Sequence, residues 1–290
     1  MREDRSRRST DTLGSARAAF ERIRVDRQHG ARALATDALA TLAELANSWS
    51  SKTDAELRAT FLGLAQTLER SQPAMGPFLR WAEEWRDIAR TRPRGSLVRA
   101  ARSWIRRERS RARTELPRLT RTSRRRFPNA RHVVTLSRSE SVLGALLAPR
   151  RRDRPSRVSV LESLPGGEGR IFANELRREG LSARVIPDRR GARTVGKADL
   201  LIIGADAVFS DGSVVHKVGT KELARVASIS GVPVVVVAGL SKFTGRPPPH
   251  RALPSRFDRT PSRYITEFWT DRGVRIGGSR RRLGPRHIPL

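Results

Sequence analysis

The chain has 290 residues, of which 37% are hydrophobic and 30% charged, which excludes collagen-like, low-complexity and miniprotein classes and is enough for roughly two domains. It contains no cysteine, so it can form no disulfide, no zinc–thiolate site and no thiol nucleophile. Lysine and arginine number 59 against 29 acidic residues, which gives a net charge of +30. We interpret it first as a solvated basic surface that reflects a bias toward arginine, with polyanionic partners such as nucleic acids or phosphorylated metabolites as the alternative.

The N-terminal part of the chain has the spacing of amphipathic helices. Apolar residues recur every three to four positions, and a capping-box pattern from Thr53 to Glu56 starts a helix that carries Leu57 and Phe61. A further helix is predicted from Ser96 to about Ala112, with an apolar face and an arginine face. We therefore predict a helical domain over residues 12–128, preceded by a flexible basic N-terminus over residues 1–11.

The pattern changes after Arg131, where short apolar runs alternate with amphipathic segments. The runs are typical of buried strands and comprise His132–Leu136, Val158–Leu161, Ala183–Ile186, Leu200–Ile203 and Val234–Ala238. The segments between them are typical of helices and comprise Glu140–Leu147, Gly169–Glu179 and Thr220–Ile229. This alternation predicts an α/β fold in which a Rossmann-like, parallel-sheet domain over residues 129–276 follows the helical domain. Residues 277–290 are predicted to form a basic tail.

No segment of the chain has the character of a membrane span or of a signal peptide. No apolar run approaches the ~20 residues that a membrane helix needs, and the charged N-terminus has no apolar core behind it. We therefore expect a soluble, cytoplasmic protein without a membrane partner.

Polar residues follow the predicted strand Leu200–Ile203 and form the strongest candidate site. Asp206 lies just beyond that strand, where parallel α/β sheets keep their ligand-binding and catalytic groups. Lys217 is one of five lysines in a chain that otherwise uses arginine, and it precedes Gly219 and a helix. We interpret Lys217 as a compact cation aimed at a phosphate group or at Asp206, with His216 beside it.

Several common sites are absent from the sequence. There is no Walker A motif, no dinucleotide-type glycine triplet after a strand and no Gly-x-Ser-x-Gly elbow. The five histidines are scattered without metal-ligand spacing, so we predict neither a metal site nor a cofactor. The glycine-rich loop Gly166–Gly169 favours a plain turn, with a phosphate cradle of backbone amides as the alternative.

The segment Leu201–Thr220 resembles the signature of one superfamily. This superfamily unites the alpha, beta and delta subunits of eukaryotic translation initiation factor 2B with two isomerases, which act on methylthioribose 1-phosphate and on ribose 1,5-bisphosphate. Further matching segments are Gln72–Pro77, Thr135–Ser137, Glu162–Pro165, Phe257–Pro261, Tyr264–Thr266 and Asp271–Gly273. The resemblance extends from Gly30 to Val274. It implies the two-domain fold and a homodimer or an oligomer of paralogues built through the C-terminal domain.

The resemblance also implies roles for individual residues. In the isomerases a cysteine and an aspartate move hydrogen between C1 and C2 of a ring-opened sugar phosphate. Asp206 matches that aspartate, the general acid/base, whereas Ser137 stands at the cysteine position, and a hydroxyl is a far poorer acid than a thiol. The implied ligand-binding positions are Gly30, Ala31, Glu168, His216 and Lys217. Glu168 replaces a glutamine and His216 an asparagine, while two family arginines become His29 and Gln72.

These residues leave three hypotheses for the function. The first is a regulatory or scaffolding subunit that binds a phosphorylated sugar or nucleotide in a degenerate isomerase site. The second is an active aldose–ketose isomerase that uses Asp206 with a surrogate such as His216. The third is an RNA- or ribosome-associated protein that uses the arginine helix and the basic stretch Ser123–Arg131. The serine in place of cysteine and the missing guanidinium groups rank the first hypothesis highest.

Overall fold

The computed structural model describes residues 15–26, 29–245 and 253–278. The chain divides into two compact units, Met1–Arg113 and Thr114–Leu290, and the division falls inside one long helix. The predicted basic N-terminus and the predicted tail beyond residue 278 lie outside the described residues.

The first unit is helical, as predicted. Its elements are α1 (15–25), α2 (Ala31–Leu45), a 3-10 helix (Ala46–Ser51), α3 (Asp54–Ser71), α4 (Gly76–Thr91) and the first part of α5 (Leu97–Arg126). The capping box is confirmed, because the Thr53 hydroxyl accepts a hydrogen bond from the Glu56 amide and the Glu56 carboxylate accepts one from the Thr53 amide. Pro77 lies in the first turn of α4, where its missing N–H leaves no hydrogen bond unmade.

Aromatic rings fill the centre of this first unit. The Trp85 ring packs edge-to-face against Trp49, Phe61 and Trp104, with centroid separations of 5.6, 4.9 and 5.0 Å. This is the preferred geometry for aromatic pairs, each of which adds about 0.5–1.5 kcal/mol beyond the burial of its area.

Helix α5 continues to Arg126, well beyond the predicted end near Ala112. Leu119 and Ser123 are buried one helical turn apart, and the Ser123 hydroxyl donates to the Leu119 carbonyl, so one face of the helix stays buried through the arginine-rich sequence. Arginine is also a strong helix former. The helix contains Pro117, which lacks a backbone N–H and so removes one hydrogen bond, but the helix continues past it.

The second unit is an α/β domain, as predicted. Its strands are β1 (His132–Leu136), β2 (Arg157–Leu161), β3 (Ala183–Ile186), β4 (Leu200–Ile203), β5 (Ala207–Val208), β6 (Val214–Lys217), β7 (Val234–Val237), β8 (Phe257–Thr260), β9 (Glu267–Thr270) and β10 (Gly273–Ile276). Its helices are α6 (Glu140–Leu147), α7 (Glu168–Arg178), α8 (Gly191–Val195) and α9 (Thr220–Ile229). Short 3-10 turns cover Arg151–Asp153, Asp188–Arg190, Leu240–Lys242 and Ser262–Tyr264.

Seven strands form one sheet in the order β10-β9-β7-β4-β1-β2-β3, parallel except for the β10 edge. Alternate residues of each central strand enter two separate cores, one on each face. In β4, for example, Leu200 and Ile202 join one core while Leu201 and Ile203 join the other. The predicted strands and helices therefore occupy the centre of the domain.

A second sheet was not predicted. It is antiparallel, with the order β5-β6-β8. Its strands are only two to four residues long. Apolar and polar residues alternate over too few positions in them to predict a strand from the sequence. Strands β9 and β10 were missed as well. Within the described residues, no helix combines the length and apolar character needed to cross a membrane.

Candidate functional site

The order of the large sheet reverses between β1 and β4, which are neighbours with Val133 opposite Leu200. Strands β2 and β3 extend the sheet on one side, and β7 and β9 extend it on the other. In an open parallel sheet such a reversal leaves a crevice at the carboxyl ends of the two strands. Ser137 directly follows β1, and Asp206 follows β4 after two residues. The topology thus brings both positions to the same end of adjacent strands.

The backbone is strained where β1 and β2 end. Ser137 has a φ of 59° and Ser163 a φ of 66°, and within the described part of the chain no other non-glycine residue has a positive φ. Such a conformation costs an L-residue about 1–2 kcal/mol. The Ser137 amide donates to Ser163 Oγ at 2.7 Å, and the Ser163 and Leu164 amides donate to the Asp188 carboxylate at 2.8 Å. These bonds hold the two turns against each other.

The Ser137 side chain is partly buried, and its hydroxyl makes no hydrogen bond to any residue that the structure describes. A serine becomes a nucleophile or an acid/base group when a neighbouring base activates it. Among residues 15–26, 29–245 and 253–278, no base makes a hydrogen bond to the Ser137 hydroxyl, which stays open to contact with a ligand.

Asp206 is held beside the strand that carries the basic residues. Its amide donates to the Val215 carbonyl at 2.8 Å, and the next residue, Ala207, pairs with Val215. The Asp206 side chain is partly buried. The small antiparallel sheet, rather than the large one, thus connects Asp206 with His216 and Lys217.

His216 is buried, and its hydrogen bonding defines its tautomer. Thr220 Oγ1 donates its proton to the Lys217 carbonyl at 2.5 Å and lies 3.3 Å from His216 Nδ1. Because that proton is already used, Nδ1 is the donor and Nε2 carries the lone pair. A methyl group at Gly204 would lie 3.1 Å from Nε2 and 2.7 Å from Ser139 Oγ. The glycine after β4 therefore makes room for the imidazole.

The environment of His216 keeps it neutral. Burial lowers its pKa most, and the charges of Lys242 and Lys217 lower it further, to about 3. An imidazole with this pKa is not converted to imidazolium at physiological pH, so it keeps only its Nδ1 proton and is a weak base. Its Nε2 can accept a hydrogen bond, but the ring has no imidazolium proton to deliver as a general acid.

Lys217 is buried and ion-paired. Its Nζ lies 2.9 Å from each carboxylate oxygen of Glu168, the first residue of α7. Gly167 reaches that helix through a φ of 68°. A Cβ at Gly169 would lie 1.7 Å from the Leu161 carbonyl oxygen, so the helix packs directly on the end of β2. The glycines of this loop serve a tight turn and a close approach.

Lys242 is a second buried cation, which sequence reasoning missed. It ends the 3-10 turn after β7, the strand next to β4, and has no ion-pair partner among the described residues. Glu115 positions the turn by accepting hydrogen bonds from the Ser241 amide and hydroxyl. The rarity of lysine in this chain, which singled out Lys217, applies equally to Lys242. Lys242 also follows the predicted strand Val234–Ala238.

The remaining predicted ligand residues belong to the first unit. Gly30 precedes α2 in an extended conformation, and Ala31 is its buried first residue. Gln72, at the position of a family arginine, is buried and donates from Nε2 to the Ile23 carbonyl at 2.5 Å. The side-chain amide of Gln72 therefore makes a structural hydrogen bond within the first unit.

Comparison with known proteins fits this architecture. Residues 27–253 match the Initiation factor 2 subunit family. The chain belongs to this family. A translation initiation factor eIF-2B subunit 2-like protein of Pyrococcus abyssi is 34% identical over 158 residues, which are 50% of this chain and 57% of that protein. The ribose 1,5-bisphosphate isomerase of Archaeoglobus fulgidus is 26% identical over 230 residues, which are 78% of this chain and 71% of that enzyme.

Solved structures share the fold of this initiation factor 2 family member. The Pyrococcus horikoshii translation initiation factor eIF-2B superposes with a TM-score of 0.76 at 23% identity, over 90% of this chain and 97% of that one. A tetrameric eIF2B-beta2-delta2 complex from C. thermophilum gives a TM-score of 0.76 at 16% identity, over 91% of each chain. The chain spans about half the length of several curated relatives that it matches.

Proposed function

We propose that this chain binds a phosphorylated sugar or nucleotide at the crevice and acts as a regulatory or scaffolding subunit without isomerising its ligand. The two buried ammonium groups of Lys217 and Lys242, both beside the buried imidazole of His216, carry this proposal. Hydrogen transfer also needs a second group beside Asp206, and the residue at the cysteine position is Ser137, whose hydroxyl is a far poorer acid than a thiol.

The buried cations support anion binding. Lys217 and Lys242 are 6% and 8% exposed, and both lie close enough to His216 to lower its pKa. Burying an ammonium group is costly unless an opposite charge compensates it. Glu168 compensates Lys217, whereas Lys242 lacks an ionic partner within the described residues. A phosphate group would supply the missing negative charge.

The acid/base groups near the crevice support the part of the proposal that the chain does not isomerise its ligand. Moving hydrogen between C1 and C2 of a sugar requires groups that remove one proton and return another near neutral pH. Asp206 can serve as one of them. A serine hydroxyl and an imidazole with a pKa of about 3 are each poorly matched to the other role.

Calorimetry combined with an isomerase assay tests the proposal. We expect ribose 1,5-bisphosphate or a nucleoside monophosphate to bind the full chain, and we expect no ketose bisphosphate to form from the former. Ketose formation that disappears in Asp206→Asn would establish the active isomerase instead. Failure of both ligands to bind at low salt would remove the binding role.

We also propose that the chain works as a homodimer or as an oligomer with paralogues through its second unit. The support is the family, in which the C. thermophilum structure is a tetrameric complex. Native mass spectrometry of the purified chain tests this proposal, with a dimer expected and a monomer at micromolar concentration contradicting the homodimer.

A further inference from the structure

Helix α5 has an extreme charge composition that the proposed crevice does not use. Its 30 residues include twelve arginines, two glutamates and no lysine or aspartate. One of the glutamates, Glu108, is buried and receives hydrogen bonds from Arg80, Trp81 and Arg111. The other, Glu115, is used by Ser241. Glu108 pairs with Arg111, and the two glutamates are far outnumbered, so the helix carries a large excess of positive charge.

Seven of these arginines are exposed and have no side-chain partner among the described residues. Four of them belong to the first unit, and we call these four the arginine face: Arg99, Arg106, Arg109 and Arg113. Three of them, Arg99, Arg106 and Arg113, recur at seven-residue spacing and lie on one line of the helix, about 10 Å apart. The opposite face is buried through Leu97, Trp104 and Leu119. Like charges so close together on a helix repel one another, and a polyanion would relieve this repulsion.

We propose that the arginine face binds the sugar–phosphate backbone of a double-stranded nucleic acid without reading its sequence. A guanidinium group matches a phosphate with two parallel hydrogen bonds, and this geometry suits a row of phosphates. At 1.5 Å per residue the stretch from Arg99 to Arg113 is about 20 Å long, so its charges extend over several phosphates of a duplex.

The composition of the face argues against other polyanionic partners. No aromatic or large aliphatic side chain of α5 is exposed. Single-strand binding draws on aromatic rings that stack with bases, and amphipathic membrane helices insert apolar residues. Stable protein interfaces centre on buried aromatic or aliphatic anchors. Backbone contact with a duplex needs none of these groups.

Fluorescence anisotropy of the full chain with a labelled 30-base-pair duplex tests the proposal over a range of salt concentrations. The variant is the triple substitution Arg106→Gln, Arg109→Gln and Arg113→Gln. Its matched control is Arg178→Gln, Arg189→Gln and Arg193→Gln, which removes the same charge from exposed arginines that lack side-chain partners among the described residues. We expect the α5 variant to bind roughly 10- to 100-fold more weakly, with a salt slope smaller by about 3, and the control to bind like the wild type.

Duplex RNA and duplex DNA are tested in parallel, together with a single strand, anionic vesicles and polyglutamate at the same salt concentration. A preference for either duplex over the other three supports the proposal and identifies the type of duplex. Equal losses in the two triple variants would mean that net charge alone drives binding. That result, or equally tight binding of the single strand, the vesicles or the polypeptide, would overturn the proposal.

Discussion

Lys217 Nζ lies 2.9 Å from both carboxylate oxygens of Glu168, which is 49 residues away in the chain. The ion pair compensates the charge of a buried ammonium group. It also places a negative charge where an incoming phosphate would approach Lys217, so the carboxylate and the ligand compete for one cation.

Removing that carboxylate charge is expected to strengthen phosphate binding. Glu168→Gln should tighten the binding of ribose 1,5-bisphosphate by about 5- to 50-fold, because the repulsion is lost and Lys217 becomes available. Isothermal titration calorimetry at low salt measures the change. Glu175→Gln is the control, since Glu175 lies on the same helix and pairs with Arg138 at 2.8 Å. Equal tightening in both variants would show that Glu168 acts only through net charge.

The hydrogen bond from Ser137 to Ser163 is expected to stabilise the ends of β1 and β2. Ser163→Ala removes the acceptor of the Ser137 amide and should lower the free energy of unfolding by about 1–3 kcal/mol. Urea denaturation measures this loss. Ser182→Ala, at an exposed position before β3, should change stability by less than about 0.5 kcal/mol. A similar effect of the two substitutions would exclude a special role for this bond.

The low pKa of His216 predicts how stability depends on pH. The unfolded chain binds a proton at this residue below pH 6.5, whereas the folded chain does so only near pH 3. Between these values the unfolded state holds more protons, so the free energy of unfolding falls as the pH falls. His216→Asn abolishes this contribution. Relative to wild type, the variant should gain about 2 kcal/mol between pH 7.5 and pH 5, measured by urea denaturation. Parallel pH profiles would contradict the assignment.

The contact of α7 with β2 depends on Gly169. A Cβ there would lie 1.7 Å from the Leu161 carbonyl oxygen, a backbone atom that cannot rotate away. Gly169→Ala should therefore destabilise the protein by about 3 kcal/mol or more. Gly63→Ala is the control, because nothing lies within 4 Å of its Cβ and alanine favours a helix. It should raise stability by about 0.5–1 kcal/mol in the same thermal or urea unfolding experiment.

The central elements of the second unit could be predicted because each has a local signal. Strands β1, β3 and β4 and helices α6 and α9 begin and end where apolar periodicity and turn residues predict. The short strands β5 and β8 and the edge strand β10 could not, because their pairing depends on partners distant in the chain.

Within the candidate site, sequence reasoning named positions but not their interactions. Asp206 and Ser137 were singled out because they follow apolar runs or match a motif. Lys242 was overlooked, although it is as deeply buried as Lys217. Its significance comes from its proximity to His216, which a linear reading of the chain does not contain.

The sequence by itself determined the alternation of helices and strands, the lack of any thiol and the arginine-rich face of α5, because these follow from composition and from periods of two and 3.6 residues. The tertiary structure alone decided that Glu168 pairs with Lys217, that His216 is neutral and that Ser137 and Asp206 follow neighbouring strands. Charge pairing and pKa depend on burial and on distances between segments far apart in the chain, and folding sets both.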